Sequence, residues 1–202
     1  MNSREQRKLE TRERIRAAAA ELFTRHGYAA ATMRQIADRA HVGLGTLFNY
    51  AEDKRDLVFL IFNQELSAIT DVALAAPRPG QPIVEQLVAV FEVHYGWLAT
   101  KPALARILLQ ELTFYSSGKQ AATFHGIRKR LIDGVEALIE RAQKAREIQS
   151  KEKPEVVARA IFFLYSASLR WWIAAPQPDP AKGVAELRRL LRLQFEGLSR
   201  RS

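Results

Sequence analysis

Apolar positions recur at helical spacing along nearly the whole chain. Ile15, Ala19, Leu22 and Phe23 define the inner face of a first helix, which stops at His26-Gly27, where glycine suits the left-handed position past a helix end. Thr32-Met33-Arg34-Gln35 follows as a capping-box pattern, with Thr32 as cap and Gln35 reaching back, and it opens a short helix whose inner face is Met33, Ile36, Ala37 and Ala40. The next ten residues, HVGLGTLFNY (41–50), fit the pattern poorly. They read as a turn and a short helix carrying Gly43 and Gly45, each a local cost of roughly 1 kcal/mol relative to alanine. Asp53 then caps a long helix through Leu57, Leu60 and Ile61, which ends before the PRPGQP cluster at 77–82.

Further helices are expected over about 82–100, 102–114, 120–148, 154–174 and 180–199. The third of these carries Phe124, Ile127, Leu131, Val135, Leu138 and Ala142 on one stripe. PQPDP separates the last two, with Asp179 placed to cap and Pro180 at the first helical position. No stretch alternates with period two. The expected fold is all-α, with about nine helices: an N-terminal three-helix unit over residues 1–53 and a larger helical bundle over 54–202.

Composition narrows the functional classes. With 202 residues, 48% of them hydrophobic, the chain can bury a core. The absence of cysteine excludes disulfides, thiolate metal sites and a cysteine nucleophile. His26, His41, His94 and His125 share no ligand spacing, so no metal site is expected. No nucleophile elbow, P-loop or dinucleotide fingerprint occurs, so neither enzymatic activity nor a cofactor is expected. The first residues are charged without an apolar signal region, and the densest apolar runs, VFLIF (58–62) and IFFLY (161–165), fall far short of the roughly 20 residues that span a bilayer. A cytoplasmic protein with no membrane partner is the expectation. The net charge of +9 admits a polyanion, but it divides into +3 over residues 1–56 (11 Lys/Arg, 8 Asp/Glu) and +6 over the rest (20 and 14), so charge alone locates no face.

The stretch 32–50 supplies that location. Two short helices joined at His41-Val42-Gly43 and packed on a preceding helix form a helix-turn-helix, with Ile36, Ala37, Val42 and Leu47 as its small core. Leu44, Gly45, Thr46 and Asn49 are left on the outer face of the second helix, where a glycine lets the backbone come close to a groove or a phosphate. Thr32, Thr46, Tyr50, Lys54 and Arg55 surround that patch as a candidate phosphate rim, and Asn49 is the candidate base reader. Lys54 and Arg55 lie in the first turn after Asp53, where a cation opposes the helix dipole and an external anion would relieve it.

The residues TRERIRAAAAELFTRHGY from Thr11 resemble the first helix of the TetR family of transcriptional regulators, and TMRQIADRAHVGLGTLFNY from Thr32 resembles its helix-turn-helix. Lys54 and Leu57 match the start of its fourth helix. The resemblance spans roughly residues 11–60 and implies a homodimeric, ligand-responsive repressor that binds a pseudo-palindromic operator in double-stranded DNA. It places Thr32, Arg34, Thr46, Asn49, Tyr50 and Lys54 at positions that commonly contact DNA. His41 stands where the family usually has a glycine, Gly43 where a capping serine is frequent, and Phe48 where a tyrosine is common.

In the larger part, Phe91, His94, Tyr95, Phe114, Tyr115, Phe124 and Arg128 offer apolar walls with a few polar handles for a small apolar or aromatic effector. For self-association, Val184, Leu187, Leu191, Phe195 and Leu198 form a seam on the last helix, and the helix before it, carrying Phe163 and Trp171, is apolar around most of its circumference. Phe163, Trp171, Leu187, Leu191 and Phe195 are the candidate dimer contacts. Ligand entering the middle helices would shift the helix that starts at Lys54 and change the spacing of the two DNA-reading heads. Two other readings stand beside this one. In the first, the helix-turn-helix is only structural within a helical ligand- or partner-binding protein; in the second, the chain binds DNA without sequence preference.

Overall fold

The computed structural model describes residues 3–197, and among these nine α-helices and one short 3₁₀ turn occur, without strands. They are α1 (Ser3–His26), α2 (Met33–Arg39), α3 (Leu44–Phe48), α4 (Lys54–Ala75), α5 (Ile83–Ala99), α6 (Pro102–Glu111), α7 (Ala121–Lys144), α8 (Pro154–Ile173) and α9 (Pro180–Glu196). The 3₁₀ turn, Leu112–Phe114, continues α6 and accounts for the longer helix expected there. Helix α1 begins a dozen residues before the apolar period becomes visible. Its first half is almost all polar and is held by good helix formers and pairs such as Gln6 with Glu10 at 3.1 Å. Helix α7 stops short of the expected end because Arg146 takes a left-handed backbone with φ 58°.

The caps form as their side chains dictate. Thr32 Oγ1 accepts from Gln35 N at 3.2 Å while Gln35 Oε1 accepts from Thr32 N at 2.9 Å, completing the capping box of α2. Asp53 Oδ1 accepts from Asp56 N at 2.7 Å at the head of α4, and Asp179 Oδ1 from Ala181 N at 2.9 Å at the head of α9.

Two compact units result: Met1–Leu66 with Ala103–Gly126, and Ser67–Pro102 with Ile127–Ser202. The first is centred on Ile15, Ala19 and Phe23 of α1, Ile36 of α2, Leu47 of α3 and a continuous buried run, Leu57–Phe62, of α4. A run buried on every side explains why α4 reads as one of two helices apolar enough, by length and composition, to cross a bilayer; α8 is the other. In the second unit Leu87, Phe91 and Tyr95 of α5, Ile161, Tyr165 and Trp172 of α8, and Val184, Leu187 and Leu191 of α9 share the core. Gly183 lets α9 lie flat on that core, since a Cβ there would sit 2.6 Å from both Trp172 and Tyr95. Arg188 and Arg192 both reach Glu85 at 3.1 Å and tie α9 to α5.

Candidate functional site

The five-residue α3 is anchored by Leu47, which is fully buried, and by backbone bonds from Leu47 N to Gly43 O and from Ala51 N to Leu47 O. Gly43 is its N-cap and provides no side-chain cap. The turn before it depends on His41, whose φ of 54° is a left-handed conformation that an L-residue adopts at a cost of about 1–2 kcal/mol. Bonds from His41 N to Asp38 O, from Val42 N to Ala37 O and from the Arg14 guanidinium to His41 O hold it there. That is how a histidine serves where glycine would be the easier residue.

With the turn fixed, Gly45, Thr46 and Asn49 are exposed and Leu44 is half-buried. A Cβ at Gly45 would meet nothing within 4 Å, so nothing within the chain requires glycine there. Phe48 is exposed beside them, a large apolar side chain on the same short helix. Arg34 on α2 and Thr32 at its N-cap are exposed, with the Thr32 hydroxyl also serving the capping box.

Two other candidate phosphate contacts are engaged internally. The Lys54 ammonium donates to the carbonyls of Tyr28 and Ala29 at 2.8 and 3.0 Å and stands 4.9 Å over the Tyr28 ring. Arg55 donates to the Glu111 carbonyl at 2.9 Å, with the Glu111 carboxylate 3.6 Å away. The unfavourable dipole position of both cations is relieved within the chain, by acceptors from the α1–α2 turn and the end of α6. The Tyr50 hydroxyl donates to Lys8 O at 3.2 Å, tying the residue after α3 to α1. Lys54 and Tyr50 therefore shape the reading head from within.

Sequence reasoning missed the group that organises the base of this head. Asp56 is 1% exposed, and its carboxylate accepts from Glu52 N, Lys119 N and Gln120 N, each at 2.9 Å, and from the Tyr115 hydroxyl. Gln120 extends the link: its amide nitrogen donates to Tyr50 O at 3.0 Å, and its carbonyl accepts from Asn63 at 3.1 Å. Gly118, at φ 121°, is required here because a Cβ would lie 2.8 Å from the Asp56 carboxylate. Burial and the adjacent Asp56 carboxylate push the Tyr115 phenol well above its ordinary range, so it stays a donor. No local pattern could have shown a carboxylate with three of its four donors some sixty residues away.

The seven candidate effector residues separate. Tyr115 stacks on Phe59 with ring centroids 3.6 Å apart and Phe124 packs beside them, all in the first unit, whereas Phe114 is 81% exposed on its 3₁₀ turn. Phe91, His94 and Tyr95 belong to the second unit; Phe91 stacks on Tyr165 at 4.1 Å, and the Tyr95 hydroxyl lies 2.9 Å from Ser168 Oγ. Arg128 is exposed on α7. His94 is 2% exposed, both of its ring nitrogens lack a hydrogen-bond partner, and burial lowers its pKa to about 4.

The candidate dimer contacts also divide. Leu187 and Leu191 are fully buried within their own unit, and Phe195 is half-buried; Leu198 lies outside the described residues. Phe163 and Trp171, by contrast, are 66% and 83% exposed. They belong to an exposed stripe along α8 and its C-cap, Val156, Ala160, Phe163, Ala167, Trp171 and Ala174, whose steps of four, three, four, four and three residues keep it on one helix face. The spacing was present in the sequence, but only the burial of the opposite face singles this stripe out.

A short helix held against a buried leucine, with an exposed polar and glycine edge and a preceding helix that bonds to its turn, defines a helix-turn-helix DNA-binding protein. The model of bacterial regulatory proteins of the tetR family matches residues 15–61, and that of the tetracyclin repressor-like C-terminal domain matches residues 80–198. The chain belongs to the TetR family and is a DNA-binding transcriptional regulator. It is similar to the HTH-type transcriptional regulator YhgD of Bacillus subtilis (strain 168), with 24% identity over 179 residues, 89% of this chain and 93% of that protein. It is also similar to the HTH-type transcriptional repressor KstR of Rhodococcus jostii (strain RHA1), 25% identical over 166 residues, covering 81% of this chain and 73% of that one. Among solved structures, FadR of Thermus thermophilus, a TetR-family repressor in complex with lauroyl-CoA, superposes with a TM-score of 0.69 at 27% identity over 95% of this chain and 96% of that one. FadR of Bacillus subtilis in complex with stearoyl-CoA shares the fold, with a TM-score of 0.71 at 21% identity over 93% and 99% of the two chains.

Proposed function

We propose that the chain is a cytoplasmic homodimeric repressor that leaves a pseudo-palindromic operator when it binds a small apolar effector. The observation that carries the DNA-reading part is α3: Leu47 is fully buried while Gly45, Thr46 and Asn49 face solvent with open space at Gly45. Asn49 reads a base edge, Gly45 and Leu44 let the helix approach, and Arg34, Thr32 and Thr46 contact phosphates. Lys54 and Tyr50 act mainly by holding the head in shape. Residues 1–53 read DNA, and residues 54–202 bind the effector and the second subunit.

The exposed α8 stripe supports the dimer, because an apolar seam along one face of a helix whose other face is already buried matches the same seam on a second copy. Two such heads enter successive major grooves about 34–36 Å apart. The effector class is supported by the buried aromatic residues Phe91, Tyr95 and Tyr165 and by the likeness to the lauroyl-CoA-bound FadR of Thermus thermophilus; a long-chain acyl-CoA is the first ligand to try. Only differential affinity for the two states can release DNA, with a typical coupling of about 1–3 kcal/mol.

The test is a gel shift and footprint on DNA flanking the gene, with competitor DNA and a salt series, with and without lauroyl-CoA. A protected, roughly palindromic site that is lost on adding acyl-CoA is the expected result. Retardation with no sequence preference would support the non-specific reading, and no retardation would leave the helix-turn-helix merely structural.

A further inference from the structure

A second basic feature lies in the first unit, reaching from α1 and the start of α7 to Asn49 at the end of α3. A cavity of about 580 Å³ opens between the polar half of α1 and the start of α7. Its walls carry Lys8 and Arg12 from α1, Lys119 from the segment before α7, and Asn49 and Thr123 as polar neighbours; Glu5 is the one carboxylate among its lining residues. Three cations against one anion leave an excess of two positive charges around a single concavity. Among the described residues none of the three cations is in an ion pair, although surface arginines and lysines elsewhere in the chain find carboxylates within 4 Å, as Arg16, Arg39 and Lys144 do. Arg12 is the most telling: its Nε is buried, yet no acceptor among the described residues meets it. A guanidinium donor withdrawn from water and left unmatched is unfavourable unless something outside the chain completes it.

We propose that this cavity binds a phosphate group of a small molecule, held by Arg12 and Lys119 with Lys8 across the opening. Arginine suits this role because its planar fork bonds oxyanions through two donors at once, and the lysines add point charge. The partly positive end of α7 begins at the same place and adds to an attraction the cations already supply. A concave site with a buried donor favours a compact oxyanion over the convex backbone of a duplex. Its position matters to the regulator. Lys119 N and Gln120 N are the amides bonded to Asp56, Gln120 bonds to Tyr50 O, and Tyr50 bonds to Lys8 O. A phosphate bridging Lys8 and Lys119 would therefore stiffen the connection between α1 and the start of α7 at the base of the reading head.

The probe is inorganic phosphate, titrated into the full-length protein at constant ionic strength against chloride and followed by amide shifts in a ¹H–¹⁵N spectrum. The expected result is a saturable response confined to residues around Lys8, Asn49, Lys119 and Thr123. Arg12→Gln and Lys119→Gln should each weaken binding by at least about tenfold, the loss of one charge-assisted bond. Arg12→Lys keeps the charge and guards against a folding artefact, and Lys151→Gln, in the other unit and not among the lining residues, should change nothing. A non-saturable response, one equal to that of chloride, or unchanged binding in both glutamine variants overturns the proposal. A parallel salt series on an unrelated duplex separates the sources of phosphate. If Arg12→Gln with Lys119→Gln lowers the salt slope by about two units while phosphate fails to bind, the cavity is a DNA-backbone contact and the small-molecule assignment is wrong.

Discussion

Replacing Asp56 by asparagine keeps the shape of the side chain and removes one acceptor. In the native arrangement one carboxylate oxygen accepts from Glu52 N and Lys119 N, and the other from Gln120 N and the Tyr115 hydroxyl. An amide nitrogen in the first position would face two backbone N–H donors with nothing to accept. Flipped, it would face Gln120 N, and the phenol would have to rotate and become an acceptor. The better flip still orphans one buried donor, at about 1–3 kcal/mol, and the worse one orphans two. For a chain of this size each kcal/mol lowers the melting temperature by roughly 2–4 °C, so a loss of about 2–12 °C is expected. Urea unfolding followed by circular dichroism, at one fixed protein concentration because the proposed dimer would add to stability, gives the midpoint and slope. Asp133→Asn is the matched control: its solvent-screened pair with Lys129 at 2.7 Å should leave the midpoint nearly unchanged when lost. If Asp56→Asn proves as mild as the control, the carboxylate does not organise the base of the head, and the reasoning from its four donors is refuted.

Other outcomes follow from the same geometry. Asn49→Ala should lower affinity for the operator by about 1–3 kcal/mol per half-site while leaving binding to unrelated duplexes unchanged; an equal loss on both, measured by fluorescence anisotropy, removes Asn49 as a base reader. Phe163→Glu with Trp171→Glu should shift the protein to monomer, since the isologous seam repeats each charge and a loss of about 3 kcal/mol or more raises the dissociation constant over a hundredfold; a dimer persisting in sedimentation excludes the α8 stripe. His94 is neutral in the folded protein down to about pH 4, whereas the unfolded chain takes up the proton near pH 6.5. No stability is lost above pH 6.5; below it the unfolded state binds the extra proton, and by pH 5 the histidine costs about 2 kcal/mol. His94→Phe should remove that dependence, so its urea midpoint should rise relative to the parent between pH 7.5 and 5, and parallel pH profiles would sink the assignment.

The sequence by itself determined the parts of this protein that are decided within a few residues. The Thr32–Gln35 box, the Asp53 and Asp179 caps and the 3.6-residue period of α2, α5, α7 and α9 depend on neighbours no more than four positions away, so their elements could be read directly. The helix-turn-helix was legible for the same reason, as was the open edge at Gly45. The tertiary structure decided which side chains remain available for function. It occupied Lys54 with the carbonyls of Tyr28 and Ala29 and Tyr50 with Lys8, and it gathered four donors onto Asp56. It also buried Leu187 and Leu191 while leaving Phe163 and Trp171 outside, although all four fit an apolar helical stripe. A helix pattern gives the angle at which a side chain leaves the axis, but whether it meets core, solvent or a carbonyl depends on segments distant in sequence. That choice is made only when the helices pack.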